Sequence, residues 1–275
     1  MVTKKELLDK FRNDIPSWRS QSTRYRYPNL AENFIDCVGV KSSYDRADIM
    51  KFLNLLADEG KTKNTLRWTA YVLRRFFKSL GIEFPLSPEE FPPNPSDDDI
   101  QAPVLSRDDV AQLITSVRYK GTSRMKAYLA LSTTFGLRRG ELIRVNRKDI
   151  KNGKILIHTI KGGTPRSHLI PDEIKEHLDG YSFGPLHEQS LIYLFSRMQR
   201  LAELEHSNRE GFHSIRRGLV TELLNAGVQI HFVYSFMRWK MATRLGTMGI
   251  YTRPDPEQVD KTVFKVHPYL KFWRD

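Results

Sequence analysis

"FHSIRRG" (212–218) sets a histidine and an arginine three residues apart, immediately ahead of the apolar-patterned run "LVTELLNAGV" (219–228). That run predicts a helix, and the spacing puts His213 and Arg216 on one face of its first turn. A lone His-x-x-Arg at a helix start usually caps the helix or packs in a core, so its meaning depends on what other elements bring to it. Working outward, "GLRRGEL" (136–142) restarts a helix directly after the glycine that ends the previous one, so Arg138 sits at a junction where its side chain can enter a cleft. Between the two lies "KILIHTIKGGTPRSHLIP" (154–171): two alternating runs around Lys161-Gly162-Gly163-Thr164-Pro165 predict a β-hairpin with Lys161 at its tip. Cationic side chains from three separate elements are thus candidates for one site, and "TMGIYTR" (247–253) adds a tyrosine near the C-terminus.

The composition sets limits on that site. The chain has 275 residues, 40% hydrophobic and 28% charged, enough for one large or two medium globular domains. No run of 18 apolar residues occurs, and "MVTKKELLDKF" (1–11) is a charged amphipathic pattern rather than a secretion signal, so a cytoplasmic protein is expected. A single cysteine, Cys37, excludes an internal disulfide and the thiolate-rich zinc sites. His158, His168, His177 and His187 recur nine or ten residues apart, which is not chelating spacing, and no Gly-x4-Gly-Lys-Ser/Thr phosphate loop is present. Neither a metal nor a nucleotide cofactor is called for.

The formal charge is +12, and its distribution is uneven. Residues 1–84 carry 16 Lys+Arg against 10 Asp+Glu, residues 85–103 carry none against 5, and residues 104–275 carry 28 against 17. Two basic bodies flank an acidic stretch with six prolines that cannot be an α-helix. The reading is a helical domain over 1–84, an extended linker over 85–103 and a second domain over 104–275. Such a layout suits a polyanionic partner held from two sides.

In the first domain, "YDRADIMKFLNLLADEG" (44–60) and "NTLRWTAYVLRRFFKSLG" (64–81) are helices with Gly60 and Gly81 as stop signals. On the second, Leu66, Leu73, Phe76, Phe77 and Leu80 form the apolar side; Arg67, Tyr71, Arg74 and Lys78 form the opposite stripe, a face suited to solvent or to phosphates. "LSRDDVAQLITSV" (105–117) opens the second domain, with Ser106 and Asp109 in capping-box spacing.

Taken in order, these motifs resemble the tyrosine recombinase (phage integrase) family over almost the whole chain. "GLRRGEL" matches the family's Gly-Leu-Arg-x-x-Glu-Leu, Lys161 its hairpin lysine, His213 and Arg216 its His-x-x-Arg, Trp239 in "FMRWK" its later His or Trp, and Tyr251 its nucleophile. The resemblance implies a mainly α protein with a small β-hairpin or sheet: a helical core-binding domain plus a mixed α/β catalytic domain. It also implies site-specific DNA recombination by cleavage and rejoining through a 3′-phosphotyrosyl link, on double-stranded DNA and as a homotetramer. Arg138 and Arg216 would hold the scissile phosphate and Tyr251 would attack it. His213 would assist the proton transfer, Lys161 would protonate the departing 5′-oxygen, Trp239 would pack at the phosphate, and Glu141 would buttress the arginines. Arg67, Arg74 and Lys78 would belong to the DNA-contacting face.

This chain departs from the family pattern in three places. Trp239 precedes Tyr251 by twelve residues, longer than the family interval; Arg217 stands where a histidine is often found; and Arg166 is a rival to Lys161 on the hairpin. Tyr234 and Tyr269 are rival tyrosines. The apolar tail after Tyr251, with Val259, Val263, Phe264, Leu270 and Trp273, is expected to dock on a neighbouring protomer. A type IB topoisomerase and a non-catalytic DNA-binding architectural factor remain as alternatives. A mobile-element integrase and a chromosome-dimer resolvase share all of these residues, and the loose match to chromosomal motifs leans towards the former.

Overall fold

The computed structural model describes residues 2–94, 104–159, 163–184, 186–205, 210–239 and 254–274. The chain divides into two units, Met1–Gln101 and Ala102–Asp275. Among the described residues no helix is long and apolar enough to cross a membrane.

Among the described residues the first unit is built from α-helices α1 (Lys4–Asp14), α2 (Gln21–Val38), α3 (Arg46–Asp58) and α4 (Lys63–Leu80). Each starts at a residue whose side chain takes an otherwise orphaned backbone N–H: Thr3, Ser20, Asp45 and Thr62 accept from Glu6, Thr23, Asp48 and Thr65. Gly81 closes α4 in the left-handed conformation at φ 77°. The core is aromatic. Phe11, Phe34, Phe76 and Phe77 are fully buried, and their rings meet at centroid distances of 5.3–6.5 Å. Burying each contributes about 1.5–3 kcal/mol, enough to fix helices whose exposed faces are largely charged.

Residues 85–94, where the sequence predicts the start of an extended linker, stay with this unit. Leu86 and Phe91 are buried in its core, Pro88–Glu90 form a 3-10 turn, and Phe91 packs on Tyr71 and Phe84. The prolines rule out an α-helix here but do not prevent one aromatic side chain from anchoring the segment.

The second unit is built around α6. Among the described residues its helices are α5 (Arg107–Lys120), α6 (Ser123–Phe135), α7 (Arg139–Leu142), α8 (Asp172–Asp179), α9 (Glu188–Leu201), α10 (Phe212–Asn225), α11 (Ile230–Phe236) and α12 (Pro256–Lys265). Residues Ala127–Phe135 of α6 are buried on every face, as expected for a helix at the centre of a layer. Beside it lies an antiparallel sheet in the order β1 (Ile150–Lys151), β2 (Lys154–Ile157), β3 (Arg166–Leu169). Asn152 and Gly153, both at positive φ, make the two-residue turn from β1 to β2. The register pairs Ile155 with His168 and Ile157 with Arg166. On β2 the inward side chains are isoleucines, but on β3 they are Arg166 and His168. Two polar side chains on the core side of a strand need partners, and those partners lie at the site described below.

The C-terminal tail, expected to dock on a neighbour, packs in this single chain on the unit that carries it. Val259, Val263, Tyr269 and Trp273 are buried in the same core as α6; the Trp273 indole N–H donates to the Thr133 hydroxyl at 3.1 Å, and His267 Nε2 lies 3.0 Å from the Thr134 carbonyl. The tail's apolar content requires a partner surface, and its own chain supplies one.

Candidate active site

Gly136 ends α6 in the left-handed conformation (φ 56°), and a Cβ at that position would lie 2.7 Å from the Met237 side chain. The left-handed backbone favours glycine there, and the methionine tip would have to shift for any larger residue; the turn makes Arg138 the N-cap of α7. One turn later Glu141, 1% exposed, aims its carboxylate back at that residue. It accepts from the Arg138 backbone N–H at 2.8 Å and from Arg138 Nη1 at 2.7 Å.

Two more guanidiniums converge on the same carboxylate. Arg216, from the first turn of α10, places Nη1 4.0 Å from Glu141 Oε2, donates to the Gly136 carbonyl and donates from Nη2 to the Met237 carbonyl at 2.9 Å. Arg238, two residues past α11, donates from Nη2 to Glu141 Oε2 at 3.2 Å and to the Phe135 carbonyl at 3.1 Å, and from Nη1 to the Phe236 carbonyl at 3.1 Å. Trp239 follows at once, its ring facing the Arg216 guanidinium at 5.5 Å and Tyr234 at 5.1 Å.

Three guanidiniums share one carboxylate, so the cluster carries a formal excess of two positive charges. Burial, and then Arg238 and Arg138, push Arg216 down to about 8; burial pushes Arg238 down to about 10 against the pull of Glu141. Both stay charged near neutral pH. Burial raises the Glu141 carboxyl, yet Arg238, Arg138 and Arg216 outweigh it and hold it below the usual carboxylate range. Arg138 remains partly open, with 26% of its side chain accessible, whereas Arg216 and Arg238 are almost wholly enclosed. A buried cluster short of negative charge is suited to an anion with several oxygens, such as a phosphodiester.

His213 lies on the exposed side of the same first turn. Partial burial of the ring, followed by the fields of Arg217, Arg216, Arg138 and Arg139, lowers its pKa, so the imidazole is neutral at pH 7 and can accept a proton.

The structure therefore brings Arg138, Glu141, Arg216 and Trp239 together, with His213 beside them. Lys161 and Tyr251 lie outside the described residues. The hairpin that carries Lys161 reaches the cluster at Gly163, where a Cβ would lie 2.6 Å from the Arg238 carbonyl. Arg166 is no rival to that lysine: its guanidinium is buried, donating to Asp260 at 2.7 Å, to the Pro256 carbonyl at 2.6 Å and to the Ser235 hydroxyl at 2.8 Å. Tyr269 is fully buried, and burial pushes its phenol far above the ordinary range. On α4, Arg74 and Lys78 are exposed and have no partner among the described residues. Arg67 is already bonded to the Pro92 carbonyl and to the Tyr71 hydroxyl.

The sequence reading did not find Arg238. In "FMRWK" only the tryptophan stood out, and a non-glycine residue at φ 57° leaves no trace in the sequence. His168 and Asp260 were also missed as partners, being 92 positions apart.

No family model matches the chain. A protein named tyrosine recombinase XerD, from Oceanobacillus iheyensis, is 31% identical over 207 residues, covering 73% of this chain and 68% of its own. A tyrosine recombinase XerA from Pyrococcus furiosus is 22% identical over 78% of this chain and 79% of its own. Among solved structures, a lambda integrase dimer bound to a core site has a TM-score of 0.70 at 17% identity, covering 91% of this chain and 95% of that one, which shows a common fold. With the similarity to XerD spanning most of both proteins, the chain belongs to the tyrosine recombinases, enzymes that cleave and rejoin DNA strands.

Proposed function

We propose that Tyr251 is the nucleophile that cleaves one DNA strand, and that Arg138 and Arg216 receive the scissile phosphate. The observation that carries this reading is the Glu141-centred cluster, which has an excess of positive charge and one guanidinium still partly open. In the attack, the Tyr251 phenolic oxygen forms a bond to phosphorus while the bond to the 5′-oxygen breaks. The phenol proton passes to neutral His213, and Lys161 gives a proton to the departing 5′-oxygen. Negative charge grows on the non-bridging oxygens, where forked guanidiniums stabilise it with little rearrangement. Trp239 places its ring against the Arg216 guanidinium. The phosphotyrosyl bond conserves the energy of the broken linkage, so rejoining needs no nucleotide cofactor.

The substrate is duplex DNA with specific sites, met in the cytoplasm by the catalytic unit and by the Arg74 and Lys78 face of α4. Lambda integrase, which shares the fold, is known as a tetramer on a Holliday junction (TM-score 0.69, 18% identity); we carry that assembly over to this chain.

The test is a nicked suicide substrate incubated with wild type and Tyr251→Phe, followed by a denaturing protein gel. A covalent protein–DNA band with wild type only supports the reading, whereas an undiminished band with the Phe variant refutes Tyr251 as nucleophile. Relaxation of a supercoiled plasmid that lacks the site would instead point to topoisomerase action.

A further inference from the structure

One side chain at the cluster has no role in the reading above, although its charge is almost wholly enclosed. Arg238 is fully buried and sits at φ 57°, a left-handed conformation that costs energy for any residue with a Cβ. Two unfavourable features at one residue persist only when the surroundings over-determine them. Here they do. The guanidinium makes four directed contacts, with Glu141, the Phe135 and Phe236 carbonyls, and His168 Nε2 at 3.1 Å.

The last contact fixes the chemistry of its partner. For Nε2 to accept from a guanidinium, the His168 proton must be on Nδ1, and Nδ1 lies 3.0 Å from the Asp260 carboxylate on α12. Asp260 is itself held by Arg166 at 2.7 Å and by the Leu169 backbone N–H at 2.8 Å. A continuous chain of buried contacts therefore runs from α12 through β3 to Arg238 and on to Glu141. Trp239, adjacent in sequence, then covers Arg216.

We propose that Arg238 is a positioning residue for strand cleavage: it grips Glu141 Oε2 while the Arg138 guanidinium takes Oε1, so that the carboxylate holds Arg138 and Arg216 at the spacing the phosphate requires. This rests on the reading that the chain cleaves DNA through these arginines. Arg238 touches no substrate in this assignment, because its Nη donors face the carboxylate, the carbonyls and the imidazole and its Nε is buried.

The test compares wild type, Arg238→Gly and Arg238→Lys. Glycine relieves the backbone strain while removing the guanidinium; lysine keeps a charge but lacks the fork. The probe is a duplex selected from randomised DNA by binding to wild type, with the cleaved phosphate mapped from the wild-type adduct. Non-covalent affinity and adduct-formation rate are measured on this duplex, and again on one carrying a neutral methylphosphonate at the cleaved position. If Arg238 acts through the arginine pair, Arg238→Gly binds DNA within about threefold of wild type and cleaves about 10–100-fold more slowly. The deficit shrinks to within about threefold on the methylphosphonate, which no longer presents the charge the pair neutralises. Arg238→Lys falls between the two.

Cleavage by Arg238→Gly within twofold of wild type overturns the inference. So does an equal loss on both substrates, which marks a purely structural role. If Arg238→Gly does not fold, the same comparison on Arg238→Lys decides. Absence of any wild-type adduct on the selected DNA refutes the cleavage reading itself, and the inference falls with it.

Discussion

Replacing Glu141 with glutamine keeps the shape of the side chain and removes the one carboxylate that, among the described residues, two buried guanidiniums and the partly open Arg138 share. In wild type that carboxylate accepts at 2.7 Å from Arg138, at 3.2 Å from Arg238 and lies 4.0 Å from Arg216. An amide can still accept hydrogen bonds through its oxygen, but its NH2 group faces donors, and three positive charges are left without a counter-charge. Breaking a buried ion pair by neutralising one partner costs about 3–5 kcal/mol. For a unit of this size each kcal/mol corresponds to roughly 2–4 °C in melting temperature, so Glu141→Gln is expected to melt about 6–20 °C below wild type. The same excess charge predicts a rescue. Sulfate or inorganic phosphate, supplying the missing negative charge, should raise the melting point of the variant more than that of wild type. Differential scanning calorimetry with and without sulfate measures both effects. A variant that melts within 2 °C of wild type, or gains no more from sulfate than wild type does, would refute a site organised around this carboxylate.

Trp273→Ala should cost about 3–5 kcal/mol, because the ring is buried and its N–H is bonded to Thr133. Since the tail packs on its own chain, that loss should not depend on protein concentration; a concentration-dependent melting shift would return the tail to a neighbouring protomer. Stability should fall on acidification. Burial lowers both His168 and His267 to about 4, so between pH 6.5 and 4 the unfolded chain binds more protons than the folded one, and stability is lost as pH drops through that window. The loss is roughly 2 kcal/mol per histidine by pH 5, and a urea midpoint unchanged from pH 7 to pH 5 would contradict it. Arg74→Ala should weaken DNA binding across sequences and reduce the log–log salt slope by about 0.9; an unaltered slope removes Arg74 from the phosphate-contacting face.

What the sequence discloses here is local. Helix α4, with its apolar stripe and Gly81 stop, follows from the 3.6-residue period, and so does α5 from the Ser106–Asp109 spacing. "GLRRGEL" announces a helix end, an arginine and a carboxylate one turn apart, and all three are found in those roles. The Asn152-Gly153 turn that adds β1 carried a readable signal that the hairpin reading passed over. Long-range partnership was not legible. Arg166 could be weighed against Lys161 only until Asp260, 94 positions away, was seen to claim its guanidinium. The apolar tail had to dock, but hydrophobicity does not say on which chain. Arg238 was the furthest from view, since its role depends on a backbone conformation and on four partners drawn from separate elements.

The end of α6 has one more consequence. Its last carbonyls do not face water: Phe135 receives Arg238, Gly136 receives Arg216, and Thr134 meets the His267 ring. The aligned peptide dipoles of a helix place roughly half a negative charge at this terminus, so the backbone itself acts as a second counter-ion beside Glu141. Unlike a carboxylate, it cannot be protonated, and no side-chain substitution removes it. To displace the arginines would be to leave buried carbonyls without donors, so the end of α6 resists any rearrangement of the cluster.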